Sequence, residues 1–315
     1  MVFYELVSVL MVLVAGLAIL SKASERLIDS AIAIAHFFKV SDLAIGFLLV
    51  SVATSLPELV VSIFASASGH PGLSIGNVLG ANISDLAMVL GVSALIAKLR
   101  VKKNEHGDFL KTLILVSVLS IGLLFIVPSF FEGLFLLAIF AVFCYFVLKT
   151  ESSLDLEENK VTRLELVGEL ILFFVSLTLV LLSADWIINS SVNLAFLGGF
   201  SEAFVGATIV SLGTTVPELA VSLKALKTKK TDLALGNLFG SAITNLTLVL
   251  GSAAIVSQII VSFNTLVVLV FFALLVNVSL YYFVSTRSVI HKKEGLLLLG
   301  LYALFIITSF LVQGI

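Results

Sequence analysis

Charge is the scarcest resource of this chain. Of its 315 residues only 12% are Asp, Glu, Lys or Arg, and 60% are hydrophobic, against about 25% charged in an ordinary soluble domain. A globular core of this size cannot hide so much apolar surface, so a soluble enzyme is excluded. The net charge is −2 and no basic patch stands out, which leaves no nucleic-acid partner. Cys144 is the single cysteine, and it sits inside an apolar run where no internal disulfide can form. No basic stretch precedes the first apolar run, which opens Met-Val-Phe-Tyr-Glu, so that run reads as a retained span and not as a cleaved signal. His36, His70, His106 and His291 lie near span ends or in loops and do not cluster. A nucleotide-binding glycine loop is missing, which excludes an ATP-driven pump. The paired aspartate motifs of an intramembrane protease are missing too.

What remains is a series of long apolar runs, without the alternation of a transmembrane barrel. They predict an all-α polytopic membrane protein with ten transmembrane helices. The spans fall near 4–35, 42–67, 72–97, 109–127, 129–149, 164–195, 202–226, 232–258, 263–285 and 294–313. All 18 Lys and Arg residues fall in alternate connections. The intervening ones, near Gly69–Gly72, Pro128, Gly198–Gly199 and Ser257–Gln258, hold none. By the positive-inside rule the basic connections are cytoplasmic and both termini are extracellular.

Residues 41–91 and 201–251 align without a gap at a constant offset of 160. Ser51-Val-Ala-Thr-Ser-Leu-Pro-Glu58 matches Ser211-Leu-Gly-Thr-Thr-Val-Pro-Glu218, and Gly76-Asn-Val-Leu-Gly80 matches Gly236-Asn-Leu-Phe-Gly240. Each copy lies in a unit of five spans. An odd number sends the second unit into the membrane from the opposite side, which makes an inverted repeat. The units are residues 1–149 and 164–315, joined by a cytoplasmic linker at 150–163. Proteins built this way place their substrate near the midplane on interrupted helices. Pro57 and Pro217 supply the interruptions, because each lacks an N–H and frees a carbonyl one turn earlier. The glycine pairs at Gly76–Gly80 and Gly236–Gly240 should let spans three and eight approach spans two and seven closely.

Three carboxylates, Glu58, Asp85 and Glu218, lie well inside spans. A charge at mid-bilayer costs at least about 2.5–3.5 kcal/mol, so a cluster of three persists only where a cation or a proton neutralises it. Thr54 stands one turn before Glu58 and Thr214 one turn before Glu218. Asn245 answers Asp85 in the other copy, with Ser241 one turn ahead of it. All of these offer oxygen, which favours hard cations such as Ca²⁺ or Na⁺ over zinc or copper. Asp85 has no proline-freed carbonyl beside it, and is expected to hold a proton while a divalent ion is bound. Asn77 and Asn237 read as caps or interhelical bonds. Glu25 and Asp185 also correspond at the offset, and could line a passage or lie on a helix surface.

These motifs resemble the α-repeats of the cation/calcium exchanger superfamily, in its prokaryotic sodium/calcium exchanger branch. The resemblance covers both repeats and the ten-span layout. It implies a secondary antiporter, not an enzyme, that exchanges Na⁺ for Ca²⁺ by alternating access in the plasma membrane. It needs no cofactor beyond the transported ions and works as a monomer in the lipid bilayer. It implies Ca²⁺ ligation by Glu58, Glu218 and backbone oxygens of Thr54 and Thr214. It implies Na⁺ ligation at Ser51, Ser55, Ser211, Thr215 and Ser241, with Asp85 and Asn245 completing the metal set. Two departures stand out. The family's archaeal pattern has Asn in the first repeat and Asp in the second, the reverse of Asp85 and Asn245. Ala81 replaces a serine whose counterpart Ser241 is intact, which opens H⁺ or K⁺ coupling as the alternative.

Overall fold

The computed structural model describes residues 2–37, 52, 54–101, 106–150, 163–227 and 231–312. It is helical almost throughout. In chain order the helices are α1 (Val2–Phe37), α2 (Leu56–Ala67), α3 (Pro71–Ile96), α4 (His106–Gly122) and α5 (Phe130–Thr150). There follow α6 (Arg163–Gly198), α7 (Glu202–Lys227), α8 (Thr231–Val256), α9 (Phe263–Arg287) and α10 (Lys292–Val312). Among the described residues seven of them, α1, α3 and α6 to α10, are long and apolar enough to cross a membrane, and the apolar stretches Leu56–Ala67 of α2 and Phe130–Phe146 of α5 are shorter. Span two is therefore seen only from residue 52 onward, and its first half lies outside the described residues, as does most of the predicted linker.

Helices α1 and α6, each of 36 residues, run against each other over their length. Leu13, Leu20, Ala23 and Leu27 pack there on Val180, Ile187 and Ile188. Arg26 donates two hydrogen bonds to the Glu169 carboxylate, at 2.9 and 3.0 Å, and ties the pair together. A second core gathers α3, α8, α9 and α10 around Leu79, Leu86, Phe239, Phe272 and Phe305. Large apolar side chains such as Phe131, Phe174 and Phe310 are exposed on the outside, the surface that lipid covers in a membrane protein.

Two interhelix contacts differ from the sequence expectation. Gly76 and Gly80 do bring α3 close to another backbone, but to that of α7 in the other half and not to that of α2. A Cβ on Gly76 would lie 2.2 Å from the Ala203 carbonyl oxygen, and one on Gly80 2.4 Å from that of Ala207. Gly236, its partner by offset, has nothing within 4 Å among the described residues. Among those residues the close crossing is thus seen at Gly76 and Gly80; residues 38–51, which include the first part of span two, lie outside them.

Candidate cation site

The two Pro-Glu segments break their helices at matching places. Ser55 (φ −82°, ψ 6°) and Thr215 (φ −76°, ψ 0°) each leave helical register two residues before the proline. Pro57 and Pro217 then sit at the start of the following helical stretch, where a missing N–H costs nothing. Glu58 and Glu218 follow in the first turn. Across from them, α3 and α8 widen into π-turns at Ser84–Val89 and Asn245–Val249. A π-turn inserts one residue, turns the helix face and is common at functional sites. Asp85 and Asn245 both sit in these turns. The turn carrying Asn245 packs on α2, and that carrying Asp85 packs on α7. A third π-turn, Gly206–Val210, lies in α7 just before Ser211.

The carboxylates of Glu58, Asp85 and Glu218 are wholly buried, and among the described residues none of their six oxygens has a hydrogen-bond partner of normal geometry. Glu58 is within electrostatic reach of Asp85 and of Glu218, and Asp85 of Glu218. Yet among the described residues no three acidic, histidine or cysteine side chains converge on one metal position. Oxygen must therefore also come from neutral groups, and the structure supplies them crosswise. The Thr214 side chain lies beside Glu58, and that of Thr54 beside Glu218.

Those hydroxyls are oriented by residues that sequence reading did not assign to the site. Thr54 Oγ1 donates to Asn237 Oδ1 at 3.1 Å, and Thr214 Oγ1 donates to Asn77 Oδ1 at 3.2 Å. Asn77 Nδ2 in turn donates to Ser62 Oγ at 3.1 Å. Each half's asparagine thus holds the other half's threonine. Thr214 Oγ1 is also placed to donate to the Ser211 carbonyl at 3.2 Å, so its hydroxyl is held from both halves. The signal in the sequence was the Gly-Asn pair repeated at the 160 offset, but its partner is set by helix crossing.

The other predicted residues divide. Ser241 Oγ meets Thr54 Oγ1 at 3.2 Å. Asn245 is fully buried, and among the described residues both its side-chain atoms and the buried Ser55 hydroxyl have no hydrogen-bond partner. Ser211 donates to the Ala207 carbonyl at 2.7 Å, and Thr215 donates to that of Ser211, so both hydroxyls are engaged by their own helix. Ser51 lies outside the described residues. Glu25 and Asp185 are exposed, unlike the buried carboxylates.

A membrane protein, helical almost throughout, with buried carboxylates of two matching segments within electrostatic reach of each other has the make-up of a cation transporter. The chain belongs to the sodium/calcium exchanger protein family, whose model matches residues 8–149 and 168–311, and so to the cation/calcium exchanger superfamily. It is a transporter, not an enzyme, and the family's ions are Ca²⁺ and Na⁺. An uncharacterised membrane protein of Methanocaldococcus jannaschii is 32% identical over 92% of this chain and 94% of its own. The sodium/calcium exchanger MaX1 of Methanosarcina acetivorans is 28% identical over 96% and 98%. The fold is similar to that of the sodium–calcium exchanger NCX_Mj soaked with Na⁺ and Sr²⁺, with a TM-score of 0.67 and 30% identity over 96% of this chain and 99% of that one.

Proposed function

We propose that the protein is a Na⁺/Ca²⁺ antiporter of ten transmembrane helices, arranged as inverted five-helix repeats at residues 1–149 and 164–315. The single observation that carries this reading is that buried carboxylates from both halves, Glu58, Asp85 and Glu218, lie within electrostatic reach of one another, with the Thr214 and Thr54 side chains beside the two glutamates. Such a site has a formal charge near −3. Three monovalent ions balance it, or one divalent ion together with a proton. The two loads compete for the same oxygens, so they exclude each other and exchange follows. Glu58, Glu218 and the Thr54 and Thr214 carbonyls are the Ca²⁺ ligands; Ser51, Ser55, Ser211, Thr215 and Ser241 serve Na⁺, with Asp85 and Asn245 alongside. Contacts between residues 160 apart support the two-fold relation: Asn82 donates to the Ala242 carbonyl and Asn277 to Ser117 Oγ, as residues beside such an axis do. The tied α1–α6 pair is the element that slides to alternate access, and a monomer in the plasma membrane, with both termini outside, suffices.

A second reading, H⁺/Ca²⁺ exchange on the same fold, is favoured by one feature. Ser241 meets Thr54, while the equivalent position in the other half is the fully buried Ala81. One sodium-binding hydroxyl is missing there. Uptake of Ca²⁺ into proteoliposomes loaded with Na⁺, with the pH gradient collapsed by an ionophore, separates the two. Uptake that follows the Na⁺ gradient supports Na⁺ exchange. Uptake that follows only an imposed pH gradient supports H⁺ exchange and overturns the first reading.

A further inference from the structure

A cleft of about 400 Å³ opens where the end of α3 meets the turn between α9 and α10. Its walls include Ile96 and Lys98 from one side and Arg287, Lys292, Lys293 and Glu294 from the other. A two-stranded ribbon pins these walls together. Leu99 pairs with Ile290 and Arg100 with Val289, and the Val101 amide donates to the Ser288 carbonyl at 2.9 Å. Ser288 turns the chain through a left-handed conformation, φ 52°. The cations therefore stand on a fixed frame.

Four cations face one carboxylate in this cleft. Glu294 is already engaged twice: Arg287 Nη1 donates to its Oε1 and the His291 amide to its Oε2, both at 3.1 Å. Among the described residues Lys98, Lys292 and Lys293 make no ion pair. The other half of the molecule provides an internal control. It repeats the same turn, with the Ser129 amide donating to Glu132 Oε2 at 3.1 Å and Gly133 packed on Gly251 as Gly295 packs on Gly91. Around that copy stand Val127, Phe130, Phe131 and Gln258. The turn folds without lysine or arginine. The positive-inside rule puts cations on one face of a membrane protein, but does not require them to converge unpaired on a cleft.

Ile96, Leu296 and Leu297, at the rim, are 58%, 60% and 47% exposed, so the cleft borders the lipid. We propose that it binds the phosphate headgroup of an anionic phospholipid, with the acyl chains lying on that apolar rim. Basic pockets between transmembrane helices are suited to such headgroups. The phosphate bridges Lys98, at the end of the helix that carries Asp85, to Lys292 and Lys293 at the start of α10.

The test uses the intact protein in detergent, with phosphatidylglycerol or phosphatidylcholine added. Retention of lipid is read by native mass spectrometry and stability by the thermal midpoint. Phosphatidylglycerol should be retained in preference to phosphatidylcholine and should raise the midpoint. The double variant Lys292→Gln/Lys293→Gln should weaken phosphatidylglycerol binding about thirty-fold, the equivalent of about 2 kcal/mol for two lysines near the surface. Lys98→Gln should weaken it in the same direction. The charge-matched control Lys22→Gln/Lys227→Gln, on the same basic face, should leave it unchanged. Equal weakening in the control means diffuse surface charge and overturns the proposal. Inorganic phosphate that matches the lipid's midpoint shift in the wild type, and loses it in the double variant, overturns the lipid assignment in favour of a soluble phosphate.

Discussion

Glu58 and Glu218 are the residues on which transport turns. A buried carboxylate with no hydrogen bond is stable only beside a counter-charge. Replacing either with Gln removes a charged ligand worth about 3–5 kcal/mol. Ca²⁺ uptake by Glu58→Gln and by Glu218→Gln should each fall at least about 100-fold while the helical content stays native; loss in only one of them would contradict a shared site. Ala81→Ser restores the hydroxyl opposite Thr214, and should lower the Na⁺ concentration that drives half-maximal uptake. An unchanged Na⁺ titration would remove Ala81 from the site. Asp85→Asn should remove the pH dependence of uptake between acidic and neutral conditions; wild type and variant alike independent of pH would refute a proton on Asp85. These three carboxylates were legible from sequence because charge inside an apolar run is conspicuous and expensive. Asn77 and Asn237 were legible as caps or interhelical bonds, but not as the partners of Thr214 and Thr54. Only the crossing of α3 with α7 and the reach of Asn237 to Thr54 set those partners.

The elements add what single residues lack, namely direction. The breaks at Ser55 and Thr215 follow from Pro57 and Pro217 and were readable from sequence. The π-turns at Ser84–Val89 and Asn245–Val249 were not, because nothing in Ser-Asp-Leu-Ala-Met-Val distinguishes a π-turn from an α-turn until its neighbours pack. The glycine motif was half readable: its need for closeness was visible, its partner was not. The two copies make a paired experiment. Gly76→Ala drives a Cβ into the Ala203 carbonyl, at 2.2 Å, whereas Gly236→Ala meets nothing within 4 Å among the described residues. Overpacking of this kind costs about 1–3 kcal/mol. Gly76→Ala should therefore lower the thermal midpoint by several degrees and Gly236→Ala should not. Equal midpoints would mean that α3 and α7 do not cross as described.

At the scale of the whole molecule the helical membrane architecture could be read ahead of the structure, because its apolar runs are long and carry little charge. The constant 160-residue offset, with every basic residue in alternate connections, is what the proposed ten-span inverted layout rests on. The pairing of α1 with α6 was beyond that logic, for it depends on packing between halves and on the Arg26–Glu169 bridge. Three Na⁺ against one Ca²⁺ moves one net charge per cycle. At about 100 mV that is about 2.3 kcal/mol, or a bias of about fifty-fold. Na⁺-driven Ca²⁺ uptake should therefore carry a current on a solid-supported membrane; uptake without current would mean an electroneutral cycle. The account stands most directly on both halves holding one cation between them. Anomalous diffraction from crystals soaked with Sr²⁺ measures this. The account predicts one peak bonded to carboxylate oxygens of both Glu58 and Glu218, and absent when either is changed to Gln. A peak held by one glutamate alone, or surviving the loss of either, would contradict it.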